Sequence, residues 1–278
     1  MTTTCLFLHG GPGFNSFAEQ KILAPLFEQK GMELVCWNEP SNLRADGPPF
    51  SAEFAFENSV KSARHELLRL ADQSNGKVYI LAHSFATHIL LNLVKDVPEF
   101  ISGATIIAPT FKLREIFCRI LKLAVSDFDQ TLPNKALQIR EFIEKSKSLF
   151  DQPIQDAFAI ATEDPNLFPH YWQNKETMGA YFGAWAEKSM PLDIEGFVAV
   201  LQDLDRKNQN IDIKSSQIPF RMIFGAHDPI VLRTQELAYI QNSIAHWSEV
   251  TFEKSGHFPH LEEADRFVAD IAAELRLE

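Results

Sequence analysis

The chain has 278 residues, of which 45% are hydrophobic and 23% are charged, proportions that are typical of a folded globular protein and exclude a disordered or fibrous chain. The net charge of −11 argues against nucleic acid or an anionic membrane as the main partner, because both require clustered lysine and arginine side chains. No apolar run approaches the roughly 18 residues that a membrane-spanning helix needs.

Short apolar runs bounded by glycine, proline and asparagine alternate with segments of helical spacing. Six of these runs predict β-strands, namely Cys5–Leu8, Glu33–Trp37, Val78–Ala82, Ala104–Ala108, Phe220–Phe224 and Glu249–Phe252. Most of them are apolar on both faces, which is typical of parallel strands covered by helices on both sides of a sheet. The alternation therefore predicts a layered α/β fold with a mostly parallel sheet of about six strands.

The alternation stops after Thr110 and resumes with the strand that begins at Phe220. The stretch between contains several helical patterns and no convincing strand. We therefore expect residues 110–215 to form a helical cap that is inserted into the sheet, and residues 1–109 and 216–278 to form the core.

A glycine-rich segment, His9-Gly10-Gly11-Pro12-Gly13, directly follows the first predicted strand. Glycine permits positive φ angles and lets the backbone approach a ligand closely. A backbone N–H group in this loop could therefore face a developing negative charge. An ordinary tight turn would explain the same residues.

Ser84 lies between the third predicted strand and a helical pattern, in the segment Ala82-His83-Ser84-Phe85-Ala86. A nucleophile on a sharp strand-to-helix turn needs small residues two positions before it and two positions after it. The usual pattern has glycine at both positions, and this chain has alanine at both. The alternative interpretation is a serine that caps a helix.

Asp228 and His257 follow the fifth and sixth predicted strands. Taken separately, they could be a turn aspartate and a surface histidine. Together with the glycine-rich loop and Ser84, however, they lie at the C-terminal ends of strands, where open α/β sheets gather their functional sites. The chain order serine, aspartate, histidine is that of one hydrolase lineage.

By these motifs the sequence resembles the α/β-hydrolase superfamily, capped branch, over nearly the whole chain. The segment that begins at His9 is similar to that of proline iminopeptidases and their relatives. The resemblance implies that Ser84 is the nucleophile, Asp228 the acid and His257 the base of a catalytic triad. It also implies an oxyanion hole made by the backbone N–H groups of Gly11 and Phe85.

The same resemblance implies a cis peptide bond between Gly11 and Pro12. The other residues expected to support the site are those of the glycine-rich loop and the neighbour of the nucleophile: His9, Gly10, Pro12, Gly13 and His83.

Three departures distinguish this chain from proline iminopeptidases. The segment around Ser84 lacks their usual glycine-rich elbow, and Asn38-Glu39-Pro40-Ser41-Asn42 replaces the aspartate and glycine-rich loop that many relatives carry. The pattern also lacks the family's usual first two strands, because the glycine-rich loop begins near residue 10. The strand at Glu33–Trp37 would then lie near an edge of the sheet, which leaves both a monomer and a homodimer open.

The cap contains two groups of aromatic residues at helical spacing that could line a substrate pocket: Phe168, Tyr171 and Trp172, and Tyr181, Phe182 and Trp185. Packing within the cap is the alternative interpretation. The cap also has acidic residues that could bind a substrate ammonium group, or could lie on solvated helix faces: Glu163, Asp164, Glu176 and Glu187.

The sequence therefore predicts a serine hydrolase that cleaves a small ester or amide. The alternatives are an aminopeptidase similar to proline iminopeptidase, acting on short peptides, and a non-catalytic binding protein of the same fold. We expect no cofactor, because no dinucleotide or phosphate-binding fingerprint occurs, and no metal, because the spacings typical of zinc sites are absent. Three cysteines without paired spacing, and no secretory signal, favour a cytoplasmic protein.

Overall fold

In the computed structural model, which describes residues 3–40, 52–187, 194–207 and 213–276, six parallel strands form one sheet in the order β2-β1-β3-β4-β5-β6. The strands are β1 (Thr3–Leu8), β2 (Met32–Trp37), β3 (Val78–His83), β4 (Ile101–Ile107), β5 (Phe220–Gly225) and β6 (Trp247–Phe252). All six predicted strands are confirmed, with ends that differ from the prediction by at most three residues. The predicted edge position of the second strand is also confirmed.

The inner strands are apolar because both of their faces are buried. Every residue of β3 is buried, and in β1 only Thr3 is partly exposed, because both strands lie inside the sheet. The edge strands β2 and β6 carry exposed polar residues such as Glu33 and Ser248. A strand that is covered on both faces must be apolar throughout, which is the pattern from which the sheet was predicted.

Helices cover both faces of the sheet. On one face lie α1 (Phe17–Gln29) and α11 (Ala264–Glu274), which meet through the buried rings of Phe27 and Phe267 at a centroid distance of 6.2 Å. The other face is covered by helices whose buried side chains belong to a second apolar cluster: α2 (Ala55–Ser74), α3 (Ala86–Asp96) and α9 (Arg233–Ser243). A short helix, α10 (Pro259–Glu262), precedes α11.

Between β4 and β5 the described residues contain helices and turns but no strand. The helices are α4 (Leu113–Thr131), α5 (Pro133–Lys145), α6 (Gln152–Ala161), α7 (Lys175–Ala186) and α8 (Ile194–Lys207). Polar side chains cap the N-termini of α6 and α7. Asp151 and Asn174, respectively, accept hydrogen bonds from backbone N–H groups of the first helical turn. Among the described helices, none is both long and apolar enough to cross a membrane.

Glu236 of α9 is a fully buried carboxyl group that connects the core to the first cap helix. Its Oε2 accepts a hydrogen bond from the backbone N–H of Phe111 (2.9 Å), and its Oε1 lies 4.0 Å from Nη2 of Arg119 on α4. Arg119 also donates to the carbonyl oxygen of Ile230. Burial raises the pKa of Glu236 to about 7 from an ordinary value of 4.5, and the Phe111 hydrogen bond and Arg119 oppose this shift.

We expect Glu236→Gln to change the pH dependence of stability. A raised pKa means that the folded state holds the proton more tightly than the unfolded state does. The contribution of Glu236 to stability is therefore fully present below pH 4.5 and is lost as the pH rises toward 7. The glutamine variant lacks this loss and still accepts from Phe111. Its free energy of unfolding relative to wild type should therefore rise between pH 5 and pH 8 by about 1–3 kcal/mol in denaturant titrations. If the difference in free energy of unfolding between Glu236→Gln and wild type is the same at pH 5 and pH 8, the pKa of Glu236 is not raised.

Candidate active site

Ser84 occupies a strained turn between β3 and α3. Its φ angle is 51°, in the left-handed region that residues other than glycine rarely adopt. Four hydrogen bonds hold this conformation. The Ser84 N–H donates to the carbonyl oxygen of Ile107 (2.8 Å), and the Ser84 carbonyl oxygen accepts from the N–H and Oγ1 of Thr87 and from Oγ1 of Thr110. The turn leaves the hydroxyl group at the C-terminal edge of the sheet and only partly buried.

His257 and Asp228 complete a chain of hydrogen bonds that starts at this hydroxyl. Nε2 of His257 lies 2.9 Å from Oγ of Ser84, and Nδ1 of His257 lies 2.7 Å from Oδ2 of Asp228. The other oxygen of Asp228 accepts from the backbone N–H groups of Ile230 and Val231, which fixes the orientation of the carboxylate. The side chains of His257 and Asp228 are 4% and 2% exposed. The geometry places a base next to a hydroxyl and a carboxylate behind the base.

The glycine-rich loop lies beside this turn. A Cβ atom on Gly10 would be 2.6 Å from Nδ1 of His83, so only glycine fits there. Gly11 and Gly13 have positive φ angles of 58° and 77°. The N–H groups of Gly11 and Phe85 donate to no other group within the described part of the chain, so both are free to meet an anionic oxygen.

The expected cis peptide bond between Gly11 and Pro12 is wrong, because all peptide bonds of the described residues are trans. The loop combines trans peptide bonds with positive φ angles at Gly11 and Gly13. The ring of Phe14 lies against Gly11 and would collide with any side chain at that position.

Glu39, in the segment directly after β2, holds the glycine-rich loop, and this role was not predicted from the sequence. It is 2% exposed; its Oε2 accepts from the N–H of Gly13 (2.6 Å), and its backbone N–H donates to Nε2 of His9 (3.3 Å). The His9 ring in turn stacks on Trp37 at 5.1 Å. The segment that departs from the relatives' pattern thus supplies a buried support for the loop; its Ser41 and Asn42 lie outside the described residues.

The backbone of His257 is held by the cap. Its N–H donates to the carbonyl oxygen of Tyr171 (2.7 Å), which lies in the short 3₁₀ helix Pro169–Tyr171. This oxygen comes so close to Gly256 that a Cβ atom there would collide with it. The position before His257 therefore has to be glycine.

Glu262 reinforces the same contact between cap and core. Its Oε1 accepts from the backbone N–H groups of Gln173 and Asn174 at 2.6 and 2.8 Å, and its Oε2 accepts from the N–H of Gly256 at 2.7 Å. Burial raises the pKa of Glu262, while these three hydrogen bonds favour the charged form. One carboxylate thus joins the loop that carries His257 to the segment before α7.

Two further imidazoles lie behind the candidate base. Nε2 of His83 is 2.9 Å from the carbonyl oxygen of His257, and the His83 and His260 rings are 4.5 Å apart. Both rings are buried, and burial lowers the pKa of His83 well below its usual value and also lowers the pKa of His260. Both are consequently neutral near pH 7 and pack against their neighbours. His227, next to Asp228 in the sequence, is exposed rather than buried.

A cavity of about 580 Å³ lies above Ser84 and His257. Five of the six predicted aromatic residues line it: Phe168, Tyr171, Trp172, Tyr181 and Phe182. Trp185 does not; its ring packs on Phe14 and Tyr181, one layer further out. Apolar side chains that the sequence did not single out complete the lining, among them Leu113, Ile116, Phe117, Phe150, Phe158 and Phe197.

The four acidic cap residues that could bind an ammonium group lie elsewhere. Glu163 pairs with Lys135, and Glu187 pairs with Lys21. Neither Asp164 nor Glu176 belongs to the cavity lining. The carboxylates that do line it, within the described residues, are Glu19 and Asp156. The four acidic residues predicted from the sequence therefore form no cation site above Ser84.

A family model described as alpha/beta hydrolase fold matches residues 4–264 of the chain. No curated protein matches the sequence at a significant level. Among solved structures, a proline iminopeptidase-related protein from Thermus thermophilus is 18% identical with a TM-score of 0.70, and the alignment covers 99% of this chain and 90% of that one.

Two further solved structures are similar at the level of the fold. An esterase from Exiguobacterium antarcticum is 12% identical, with a TM-score of 0.62 and coverage of 99% and 92% of the two chains. A proline iminopeptidase from Mycobacterium smegmatis is 16% identical, with a TM-score of 0.62 and coverage of 99% and 89%.

The contact between Gly256 and Tyr171 leads to a mutational prediction. Gly256→Ala should lower the rate of turnover of any substrate, because the new methyl group pushes the Tyr171 carbonyl away and shifts the His257 imidazole. A misplacement of about 1 Å can cost on the order of a hundredfold in rate. Gly179→Ala is the matched control, since nothing lies within 4 Å of a Cβ atom at this exposed position of α7. Equal turnover by both variants would contradict the prediction.

Proposed function

The chain belongs to the alpha/beta hydrolase fold family, and from this premise we propose that it is a serine hydrolase that cleaves a small ester or amide through an acyl-enzyme. The observation that carries the proposal is the hydrogen-bond chain from Ser84 Oγ through His257 to Asp228. A serine hydroxyl is a weak nucleophile until an adjacent base removes its proton. In this site the base is within hydrogen-bonding distance of the hydroxyl.

In the proposed reaction, Oγ of Ser84 attacks the carbonyl carbon of the substrate while Nε2 of His257 takes the hydroxyl proton. Asp228 holds the imidazole in the required tautomer and stabilises the cation that forms. The N–H groups of Gly11 and Phe85 donate to the negative oxygen of the tetrahedral intermediate; loss of one such donor costs about 2.7–4 kcal/mol in other enzymes. The intermediate collapses, and His257 returns the proton to the leaving group.

Water completes the cycle by the same path. His257 takes a proton from the water as its oxygen attacks the acyl carbon, and the proton then passes to Ser84 Oγ as the ester bond breaks. The products are a carboxylic acid and the alcohol or amine released in the first step.

The cavity favours an ester with an apolar group over a substrate with a free amino terminus. Its walls are formed mainly by aromatic and aliphatic side chains, and burial of apolar surface contributes roughly 25 cal/mol per Å². Solved structures of similar fold carry the names esterase and proline iminopeptidase, so the aminopeptidase remains the second candidate. It is disfavoured because the lining is mainly apolar. None of the four expected cap acids belongs to it, and of the two carboxylates that do, Glu19 is almost fully buried and Asp156 already accepts a hydrogen bond from Gln152.

Turnover of short p-nitrophenyl esters tests the proposal. We expect wild type to hydrolyse them, and Ser84→Ala and His257→Gln to be at least about a thousandfold slower, because the residues of a triad act as a unit. Ser248→Ala, at an exposed position of β6, is the matched control and should keep the wild-type rate. Circular dichroism checks that the variants remain folded.

Three results would contradict this assignment. Faster release of p-nitroaniline from proline p-nitroanilide than of p-nitrophenol from every ester would favour the aminopeptidase. Wild-type rates in folded Ser84→Ala would exclude the serine mechanism, and no turnover of any ester or anilide by wild type would favour the non-catalytic binding protein.

Ala159 offers a test of the apolar cavity. It lies on α6, its side chain is exposed to the cavity, and a larger residue there would fill space without disturbing the apolar core. We expect Ala159→Trp to reduce kcat/KM for p-nitrophenyl octanoate at least about tenfold relative to p-nitrophenyl acetate. Ala273→Trp, at an exposed position of α11 outside the cavity, should leave the ratio of the two values unchanged. If the ratio of the two kcat/KM values is the same in Ala159→Trp as in wild type, the octanoyl group of the substrate binds outside this cavity.

A further inference from the structure

Three side chains of the cap meet at a point that is separate from the cavity. Asp127 comes from α4, Asp164 from the turn after α6, and His170 from the 3₁₀ helix Pro169–Tyr171. One ligand atom from each residue lies within 4.8 Å of the other two, and Nε2 of His170 is 2.7 Å from Oδ2 of Asp127. None of the three lines the cavity above Ser84.

Asp164 is the deepest member of this cluster and has an unused oxygen. The residue is 5% exposed, and its Oδ1 accepts from the backbone N–H of Asn166 at 2.9 Å. Its Oδ2 is buried and receives no hydrogen bond from a donor among the residues that the structure describes; burial and the neighbouring Asp127 carboxyl group raise the pKa of Asp164. A buried carboxylate oxygen without a partner is costly, so a group that satisfies it would stabilise the cap.

The charges of the cluster are also unbalanced. Two carboxylates lie close together, and within the described ranges neither Asp127 nor Asp164 forms an ion pair with a lysine or an arginine. His170 is the one basic group of the cluster that pairs with Asp127. Like charges at this separation repel each other, and a cation between them would remove the repulsion.

We propose that Asp127, Asp164 and His170 bind a divalent transition-metal cation of the Zn²⁺ type. One imidazole nitrogen with carboxylate oxygens suits such a cation, whereas Mg²⁺ and Ca²⁺ prefer oxygen ligands alone. Three protein ligands leave at least one coordination position for water. Water can reach it, because the His170 side chain is 35% exposed.

The bound cation would act on the cap rather than on the substrate. It would join α4 to the 3₁₀ helix that ends at Tyr171, and the carbonyl oxygen of Tyr171 accepts the backbone hydrogen bond of His257. The bound cation would therefore stabilise the position of the segment that contacts the candidate base. It stands on its own contacts and does not depend on the proposed hydrolase activity.

Calorimetric titration and thermal unfolding test the proposal. Tag-free, chelator-treated full-length protein is titrated with ZnCl₂ alone, and with MgCl₂ and CaCl₂ for comparison. We expect saturable binding of one Zn²⁺ per chain and a rise in Tm of at least about 2 °C, with no comparable effect of Mg²⁺ or Ca²⁺. Asp164→Asn and His170→Gln should each lose at least about tenfold in affinity.

Asp129→Asn is the matched control, because Asp129 lies on the same helix and pairs with Arg140 at the surface. It should bind Zn²⁺ as wild type does. The proposal is overturned if wild type shows no saturable binding, or if folded Asp164→Asn and His170→Gln bind as tightly as Asp129→Asn. A Tm that is higher in Asp164→Asn than in wild type, with no response to Zn²⁺ in either, would also overturn it and would indicate that the two carboxyl groups share a proton.

Discussion

The hydrogen bond between Nε2 of His257 and Oγ of Ser84 joins two loops that are 173 residues apart in the chain, and the proposed hydrolysis depends on it. Each end is held independently. At one end, hydrogen bonds to β4 and α3 fix the left-handed turn at Ser84. This backbone conformation costs about 1–3 kcal/mol, and it leaves the hydroxyl group partly exposed. At the other end, Asp228 fixes the imidazole and Tyr171 fixes the backbone.

The cap contributes to the site in two ways. Its aromatic and aliphatic side chains form most of the cavity walls, so it sets which substrates fit. Its backbone also holds the His257 loop, through the carbonyl oxygen of Tyr171 and through Glu262, which accepts from both segments. A movement of the 3₁₀ helix Pro169–Tyr171 would therefore shift the base as well as open the cavity. In the proposed reaction, these contacts would couple access to the cavity to the position of His257.

The sheet could be predicted from the sequence because buried parallel strands must be apolar on both faces, and the α/β-hydrolase fold is confirmed. Ser84, Asp228 and His257 could be proposed because each follows a strand in a recognisable motif. Glu39, Glu262 and Glu236 could not, because a carboxylate that accepts backbone N–H groups from distant segments has no local sequence signature. The Gly11–Pro12 bond was predicted wrongly because the cis isomer was carried over from related loops, and no local sequence signal in this chain reports the isomer.

The most direct test of the account is to locate the activated hydroxyl chemically. Wild-type protein is treated with a fluorophosphonate probe, digested, and analysed by peptide mass spectrometry. We expect the phosphonyl group on Ser84, and we expect the rate of labelling to fall sharply in folded His257→Gln. Labelling of another residue, or equal labelling rates in the two proteins, would contradict the claim that His257 activates Ser84.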